Sequence, residues 1–304
     1  MYAPQPPSRP EPTWSRPATT TPAVPPSPPG YLPQAVPPQV VDFRTGRATA
    51  TWLRIPLDRP IFTRILLAIL VVIFIPMALS PEINAQFLAA GGNAHFAVQN
   101  GEWWRLITSM FLHGGWLHIA LNGYALYIIG TDLEALIGRA RFLVIYFVSG
   151  VAGSISSFAF APAGLLYGSV GASGAIFGLI GALGVYFGLH RRLYGRMGNV
   201  QFWNIIVVIV LNLGIGIWFA DTFHIDNSAH IGGLLAGAAL GCVLAPRYAL
   251  GDWASLFVRN VVNTNKGTLP WLATALVTLI VIFTFFVLLL LFETGVLTPN
   301  LVIG

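Results

Sequence analysis

Seven apolar stretches of about 17 to 23 residues follow one another along the chain. A helix of this length crosses a hydrocarbon core of about 30 Å. Unpaired backbone groups are costly in lipid, and the stretches lack the strict alternation of a membrane strand. The predicted spans cover residues 61–79, 116–137, 141–160, 168–188, 201–219, 229–245 and 270–292. The pattern therefore predicts an all-α fold, a polytopic membrane helical bundle.

Composition and charge agree with an integral membrane protein. Only 9% of the residues are charged, whereas a soluble domain has about 25%. The basic residues at the ends of the predicted spans all fall on one side of the membrane: Arg44, Arg47, Arg54, Arg59, Arg64, Arg139, Arg141, Arg191, Arg192, Arg196, Arg247, Arg259 and Lys266. By the positive-inside rule this side is the cytoplasm, so the N-terminus is predicted inside and the C-terminus outside. The net charge of +5 thus reflects the orientation of the chain in the membrane and does not support nucleic-acid binding.

The chain divides into three segments by composition. Residues 1–60 carry 16 of the 22 prolines and are predicted to be a disordered, proline-rich cytoplasmic tail, which could dock a polyproline-binding partner. Residues 61–246 contain six spans and form the predicted core. Residues 247–304 are predicted to be a cytoplasmic loop followed by the seventh transmembrane helix.

Two polar residues lie within apolar segments 57 residues apart, Ser173 and His230. A hydroxyl and an imidazole in hydrocarbon are unfavourable unless they satisfy each other or line a wet cavity. Gly233, Gly237 and Gly241 follow His230 on its own helical stripe. Small residues four apart let membrane helices approach closely, which would bring the hydroxyl within reach of the imidazole. The pair suggests a nucleophile and a general base.

Glycines on span 4 are expected to complete this close approach. Gly181, Gly184 and Gly188 are predicted to face span 6 on the side of Ser173. The alternative is that all of these glycines serve packing alone.

The histidine has one carboxylate nearby in sequence, Asp226, four residues earlier in a loop. A third member orienting the imidazole is conceivable, but a dyad is favoured, with His230 resting neutral and able to accept the serine proton. Cys242 is the single cysteine, so neither an intrachain disulfide nor a thiol metal site can form. No metal and no cofactor is expected.

His118 and Asn122 are four residues apart and so lie on one face of span 2. Both can donate hydrogen bonds, and donors preorganised in a water-poor site suit a developing oxyanion. The alternative is an interhelical role, with Asn122 bonded to a neighbouring carbonyl.

At these positions the chain resembles the rhomboid family of intramembrane serine proteases, over residues 60–246. The resemblance rests on these pieces: Gly171-Ala172-Ser173-Gly174, Ala229-His230 with its glycines, His113, His118, Asn122, Glu102 and Trp104-Arg105. It implies a six-helix rhomboid-like core, here extended by a seventh transmembrane helix. It also implies Ser173 as nucleophile, His230 as general base, and an oxyanion hole formed by the Ser173 N–H, His118 and Asn122.

The resemblance also implies a substrate, a membrane protein cut within or next to a transmembrane segment. Glu102, Trp104 and Arg105 would belong to a first-loop structure at the outer interface. Phe177 stands where some members have a tyrosine against the histidine ring. Span 7 is expected to pack and to carry no chemistry.

Two other functions compete with the protease. A catalytically inactive rhomboid-like protein that binds membrane clients would normally lack the serine or the histidine, and both are present. A small-solute transporter would show internal repeats and sites at the membrane midplane, and the sequence shows neither.

Overall fold

The described part of this computed structural model is an all-α membrane bundle with a few short strands. It covers residues 39–41, 48–50, 52–160, 168–219, 222, 225–255 and 258–293. The helices are α1 (Phe62–Leu79), α2 (Pro81–Gly91), α3 (His95–Gln99), α4 (Arg105–Thr108), α5 (Trp116–Ala125), α6 (Thr131–Ile137), α7 (Arg139–Phe160), α8 (Ser173–Trp218), α9 (Asn227–Leu244) and α10 (Leu269–Glu293). The predicted polytopic helical fold is confirmed.

Five of the described helices, α1, α7, α8, α9 and α10, are long and apolar enough to cross a membrane. Helix α8 has 46 residues and covers two predicted spans, which are separated by a break in helical geometry at Gly195, where φ is 58°. Predicted span 2 is divided between α5 and α6. Each predicted span therefore coincides with helical structure, while seven crossings as a number stays a prediction.

Short strands lie on either side of the helical core in sequence. β1 (Gln39–Val41) pairs antiparallel with β2 (Ala48–Ala50). β3 (Trp52–Arg54) pairs in parallel with β5 (Val258–Asn263), which also pairs antiparallel with β4 (Tyr248–Ser255).

Three of these strands, β1, β2 and β3, fall within residues 1–60, the predicted tail. Strands β1 and β2 pair with each other from residue 39 onward, and β3 adds to the edge of the hairpin in the loop after α9. Residues 1–38, 42–47 and 51 lie outside the described residues, so disorder there and a polyproline-binding partner stay predictions.

Helices α7, α8 and α9 make the most extensive interhelical contacts and form the centre of the bundle. The first half of α8 is buried almost all round, as expected for a helix enclosed by others. The largest fully buried side chains of this core include Phe142, Tyr146, Leu179, Tyr186 and Leu240. The central position of α8 fixes the surroundings of its first residue, Ser173.

A buried carboxylate joins the end of span 2 to the beginning of α1. Glu134 accepts hydrogen bonds from the backbone N–H groups of Ile61, Phe62 and Thr63 at 2.8 to 2.9 Å, and from the Thr63 hydroxyl at 2.8 Å. The first N–H groups of a helix lack partners within the helix, and a negative charge is favourable there. Glu134 therefore anchors the C-terminal part of predicted span 2 to α1.

Between α5 and α6, residues Leu126–Gly130 form a π-helical turn. Asn122, Leu126, Gly130 and Glu134 are buried at intervals of four residues. A regular α-helix advances about 40° for every four residues, so this stripe would rotate by about 120° from Asn122 to Glu134. A π-helical turn contains more residues than an α-helical turn, so it reduces the rotation of this stripe. It lets Asn122 face the centre of the bundle while Glu134 reaches α1.

We expect Glu134→Ala to lower the free energy of unfolding by about 3 kcal/mol, because buried backbone donors of α1 lose a charged acceptor. Thermal unfolding in detergent micelles measures this loss. Glu82→Ala is the matched control, since Glu82 also lies at the beginning of a helix but is exposed. Equal melting temperatures for the two variants would contradict the anchoring role.

Candidate active site

Ser173 is the first residue of α8, and the backbone before it is tied to the loop that precedes α5. Gly171 has φ of 124°, a conformation that side chains rarely adopt, and its N–H donates to the Ser109 carbonyl at 2.9 Å. Asn93 and Ser169 exchange two backbone hydrogen bonds, at 3.0 and 3.3 Å. These three bonds hold the segment that presents the Ser173 side chain.

The Ser173 hydroxyl is hydrogen-bonded to His230 on α9, with 2.9 Å between Oγ and Nε2. His230 is 9% exposed. Phe177, one helical turn after Ser173, stacks on the imidazole with ring centroids 4.2 Å apart and planes 9° apart. This stacking was expected from the sequence, and it fixes the ring so that Nε2 faces Oγ.

The carboxylate of Asp226 does not orient the imidazole. Its Oδ1 accepts from the Ala229 N–H at 3.0 Å and so caps the N-terminus of α9. Among the described residues, the buried His230 Nδ1 has no hydrogen-bond partner. The geometry is therefore that of a two-residue pair.

Glycines allow α8 and α9 to approach backbone to backbone beside this pair. A Cβ added to Gly233 would overlap the carbonyl of Gly174, and one added to Gly237 would overlap the backbone of Gly178. Further along the contact, a Cβ on Gly241 would meet the Ala182 backbone at 2.9 Å. The stripe predicted on α9 is therefore the contact surface with α8.

On α8 the predicted glycine set is only partly right. A Cβ on Gly181 would meet the backbone of α9 at Leu234, as expected. Gly184 and Gly188 instead face Ile205 and Phe202, in the second half of α8 itself. The prediction was wrong for these two because the chain folds back after Gly195 and brings a different helix against that face.

His118 and Asn122 project from α5 toward the backbone before Ser173. A Cβ on Gly171 would lie 2.6 Å from His118 Nε2 and 3.2 Å from Asn122 Nδ2. Asn122 is 7% exposed, and its buried Nδ2 has no partner among the described residues. A buried amide without an acceptor is costly, and this one lies close to the backbone before Ser173. His113 is fully buried, with its ring 5.0 Å from that of His118.

The residues assigned to a first-loop structure hold together the first loop, residues 80–115 between α1 and α5. Arg105 is 6% exposed, forms an ion pair with Glu102 at 2.6 Å and donates to the Gly92 carbonyl at 2.9 Å. Trp104 Nε1 donates to the Ala90 carbonyl at 3.4 Å. The loop is thus a folded unit beside the site.

Sequence reasoning missed the residues through which this loop reaches Ser173. Asn93 Nδ2 donates to the Ser154 carbonyl at 2.8 Å, and Asn93 also pairs with Ser169 through its backbone. Ser109 contributes a backbone carbonyl, which any residue type could supply. The only signal available was a polar Asn93 directly after two glycines.

Fold and site define a polytopic helical membrane protein in which a buried histidine is hydrogen-bonded to a partly buried serine. The rhomboid domain family matches residues 100–247. Rhomboid protease GluP of Bacillus subtilis is 43% identical over 189 residues, which cover 60% of this chain and 35% of GluP. YdcA of the same species is 33% identical over 146 residues, covering 48% of this chain and 69% of YdcA.

A plant protein shows the same similarity. RHOMBOID-like protein 6, mitochondrial, of Arabidopsis thaliana is 40% identical over 149 residues, covering 48% of this chain and 45% of that protein. The chain thus spans about a third of GluP, under half of the plant protein and more than two thirds of YdcA. It belongs to the rhomboid family.

We expect Gly233→Ala to destabilise the protein by about 1 to 3 kcal/mol, because the added methyl group must push α8 and α9 apart. Thermal unfolding in detergent micelles measures this effect. Gly214→Ala is the control, since a Cβ at Gly214 meets open space. If the two alanine variants are equally stable, the backbone contact between α8 and α9 is not as close as described.

Proposed function

We propose that the protein is an intramembrane serine endopeptidase that hydrolyses peptide bonds in or next to transmembrane segments of membrane proteins. The observation that carries this proposal is the 2.9 Å hydrogen bond between Ser173 Oγ and His230 Nε2. A hydroxyl bonded to a neutral imidazole is the arrangement that activates a serine nucleophile. Membership of a family in which GluP is named a protease supports the same conclusion.

In the proposed reaction, Ser173 Oγ attacks the carbonyl carbon of the scissile peptide bond while its proton passes to His230 Nε2. The tetrahedral intermediate collapses as His230 returns that proton to the leaving amine, and the acyl group remains on Ser173. A water molecule then attacks the ester with His230 again as base. This second attack releases the carboxyl product and restores the hydroxyl.

The negative oxygen of the intermediate needs donors, and three are proposed: the Ser173 N–H, His118 and Asn122. The unpartnered Nδ2 of Asn122 and the closeness of both side chains to Gly171 support this assignment. Preorganised donors in a site with little water stabilise charge that develops only in the transition state.

The position of the pair suggests where cleavage takes place. Ser173 and His230 lie in the first turns of α8 and α9, at the same end of the bundle as the first loop. The basic residues Arg139 and Arg191 lie toward the other end, where α7 begins and α8 breaks. We therefore propose a multi-pass protein of the cell membrane, with the N-terminus cytoplasmic, the C-terminus outside and the site toward the outer leaflet.

A substrate helix has to unwind before one of its carbonyl groups can reach Ser173, because helical backbone groups are already hydrogen-bonded to each other. We propose single-span membrane proteins with helix-weakening residues near the cleavage point as substrates. The lipid bilayer is the medium in which enzyme and substrate meet.

Ser173→Ala is expected to abolish cleavage of a single-span test substrate in liposomes, because the nucleophile is lost while the fold remains. Gel analysis of the products measures the cleavage. Ser149→Ala is the control, since the Ser149 hydroxyl is also buried but donates to the Ile145 carbonyl within its own helix. Full cleavage by Ser173→Ala would reject the mechanism. Binding of the substrate without cleavage by the unaltered protein would instead identify an inactive client-binding relative.

Asn122→Ala should lower kcat by about 100- to 1,000-fold with little change in KM, because its donor acts on the transition state. Steady-state kinetics with the same substrate separates the two constants. A change confined to KM would assign Asn122 to substrate binding and remove it from the oxyanion hole.

A further inference from the structure

Helix α10 begins beyond residues 100–247, which match the rhomboid domain, and most of its surface faces away from the bundle. Its buried residues near the C-terminal end are Phe285, Leu289 and Phe292. A spacing of four and then three residues places them on one face of the helix. This face lies at the end of the bundle that contains Ser173.

Part of this face contacts the first loop through an aromatic group. Trp103, which directly precedes the Trp104-Arg105 motif, meets Phe285 and Phe286 edge to face, with ring centroids 6.0 and 5.4 Å apart. Aromatic rings prefer such edge-to-face geometry. Val98 and Leu106 of the same loop belong to the buried apolar cluster around α10.

A second contact lies at the end of α10. The imidazole of His95 stacks on Phe158 of α7 with centroids 4.5 Å apart and meets Phe292 edge to face at 4.8 Å. His95 Nδ1 donates to the Phe158 carbonyl at 2.9 Å. The N-terminus of α3 is therefore held between α7 and α10.

The loop segment that α10 contacts is also the segment that holds the backbone before Ser173. Asn93, two residues before His95, exchanges two backbone hydrogen bonds with Ser169. Ser109, six residues after Trp103, accepts from the Gly171 N–H. One face of residues 93–109 thus packs on α10, and another positions residues 169–171.

We propose that α10 is a clamp on the first loop, with Phe285 and Phe292 as positioning residues that keep the Ser173 segment in place for peptide hydrolysis; this rests on the proposed protease function. Lipid tails are as apolar as the helix surface, so burial alone does not hold α10 in this position. The aromatic contacts of Phe285 with Trp103 and of Phe292 with His95 hold α10 against the loop instead. The clamp therefore adds a positioning element outside the part of the chain that matches the rhomboid domain.

The test compares two double variants of the full chain. F285A/F292A removes rings that contact the loop, whereas L279A/F283A removes similar bulk from the outward face of the same helix, where both residues are more than 60% exposed. Hydrogen–deuterium exchange in detergent micelles follows residues 93–111 and 168–172. We expect exchange in both segments to rise about tenfold in F285A/F292A only. Equal exchange in the two variants would overturn the clamp.

Cleavage of a single-span substrate by the same proteins tests the positioning role. We expect F285A/F292A to lose about tenfold or more in kcat with KM nearly unchanged, and L279A/F283A to match the parent. Faster exchange without any loss of kcat would overturn the positioning role. If the parent itself does not cleave, the protease proposal fails, while the exchange result still decides whether α10 clamps the loop.

Trp103→Leu removes the aromatic contact with Phe285 from the side of the loop, and it replaces F285A/F292A in the test if that variant does not fold. We expect it to speed exchange at residues 168–172 and to lower kcat in the same direction. If Trp103→Leu matches the parent in both measurements, the aromatic contact between α10 and the loop does not position Ser173.

Discussion

The backbone-to-backbone approach of α8 and α9 is the constraint on which the rest of the structure depends. Gly174 and Gly178 on α8 face Gly233 and Gly237 on α9, and a Cβ at Gly233 or Gly237 would overlap a backbone carbonyl of α8. In lipid the packing of small residues takes the place of the hydrophobic effect in joining helices. Because Ser173 and His230 lie one position and three positions from this contact, the separation of their side chains is set by the helix backbones and not by flexible loops.

The close approach also explains how polar groups are tolerated in an apolar bundle. A hydroxyl and an imidazole buried separately would each lack a partner, whereas together they form one hydrogen bond, and Phe177 covers the ring. Asn122 Nδ2, which has no partner among the described residues, lies where a substrate carbonyl would arrive in the proposed reaction. The same end of the bundle carries the folded first loop, whose backbone bonds hold residues 169–171. We propose that α10 supports this loop from outside.

Features that depend on composition and helical periodicity could be predicted from the sequence: the positions of the long apolar helices, the glycine stripe of α9 and the group formed by Ser173, His230, His118 and Asn122. Features set by tertiary contacts could not. Gly184 and Gly188 were assigned to the wrong neighbour, because the sequence does not show how the second half of α8 folds back. The Glu134 anchor, the π turn and the pairing of β3 with β5 each join residues far apart in sequence or alter a regular helix. Hydrogen bonds between backbone groups, such as the one accepted by the Ser109 carbonyl, cannot be predicted from residue type.

The most direct test of the central claim is labelling of the purified protein with a fluorophosphonate probe, followed by mass spectrometry of the labelled peptide. Such a probe reacts with a serine only when a neighbouring base activates it. The account predicts that the label lies on Ser173 and that His230→Ala, in which Ser173 is still present, labels at no more than background rate. Labelling of His230→Ala at the rate of the parent protein would contradict the claim that the imidazole on α9 activates the hydroxyl on α8.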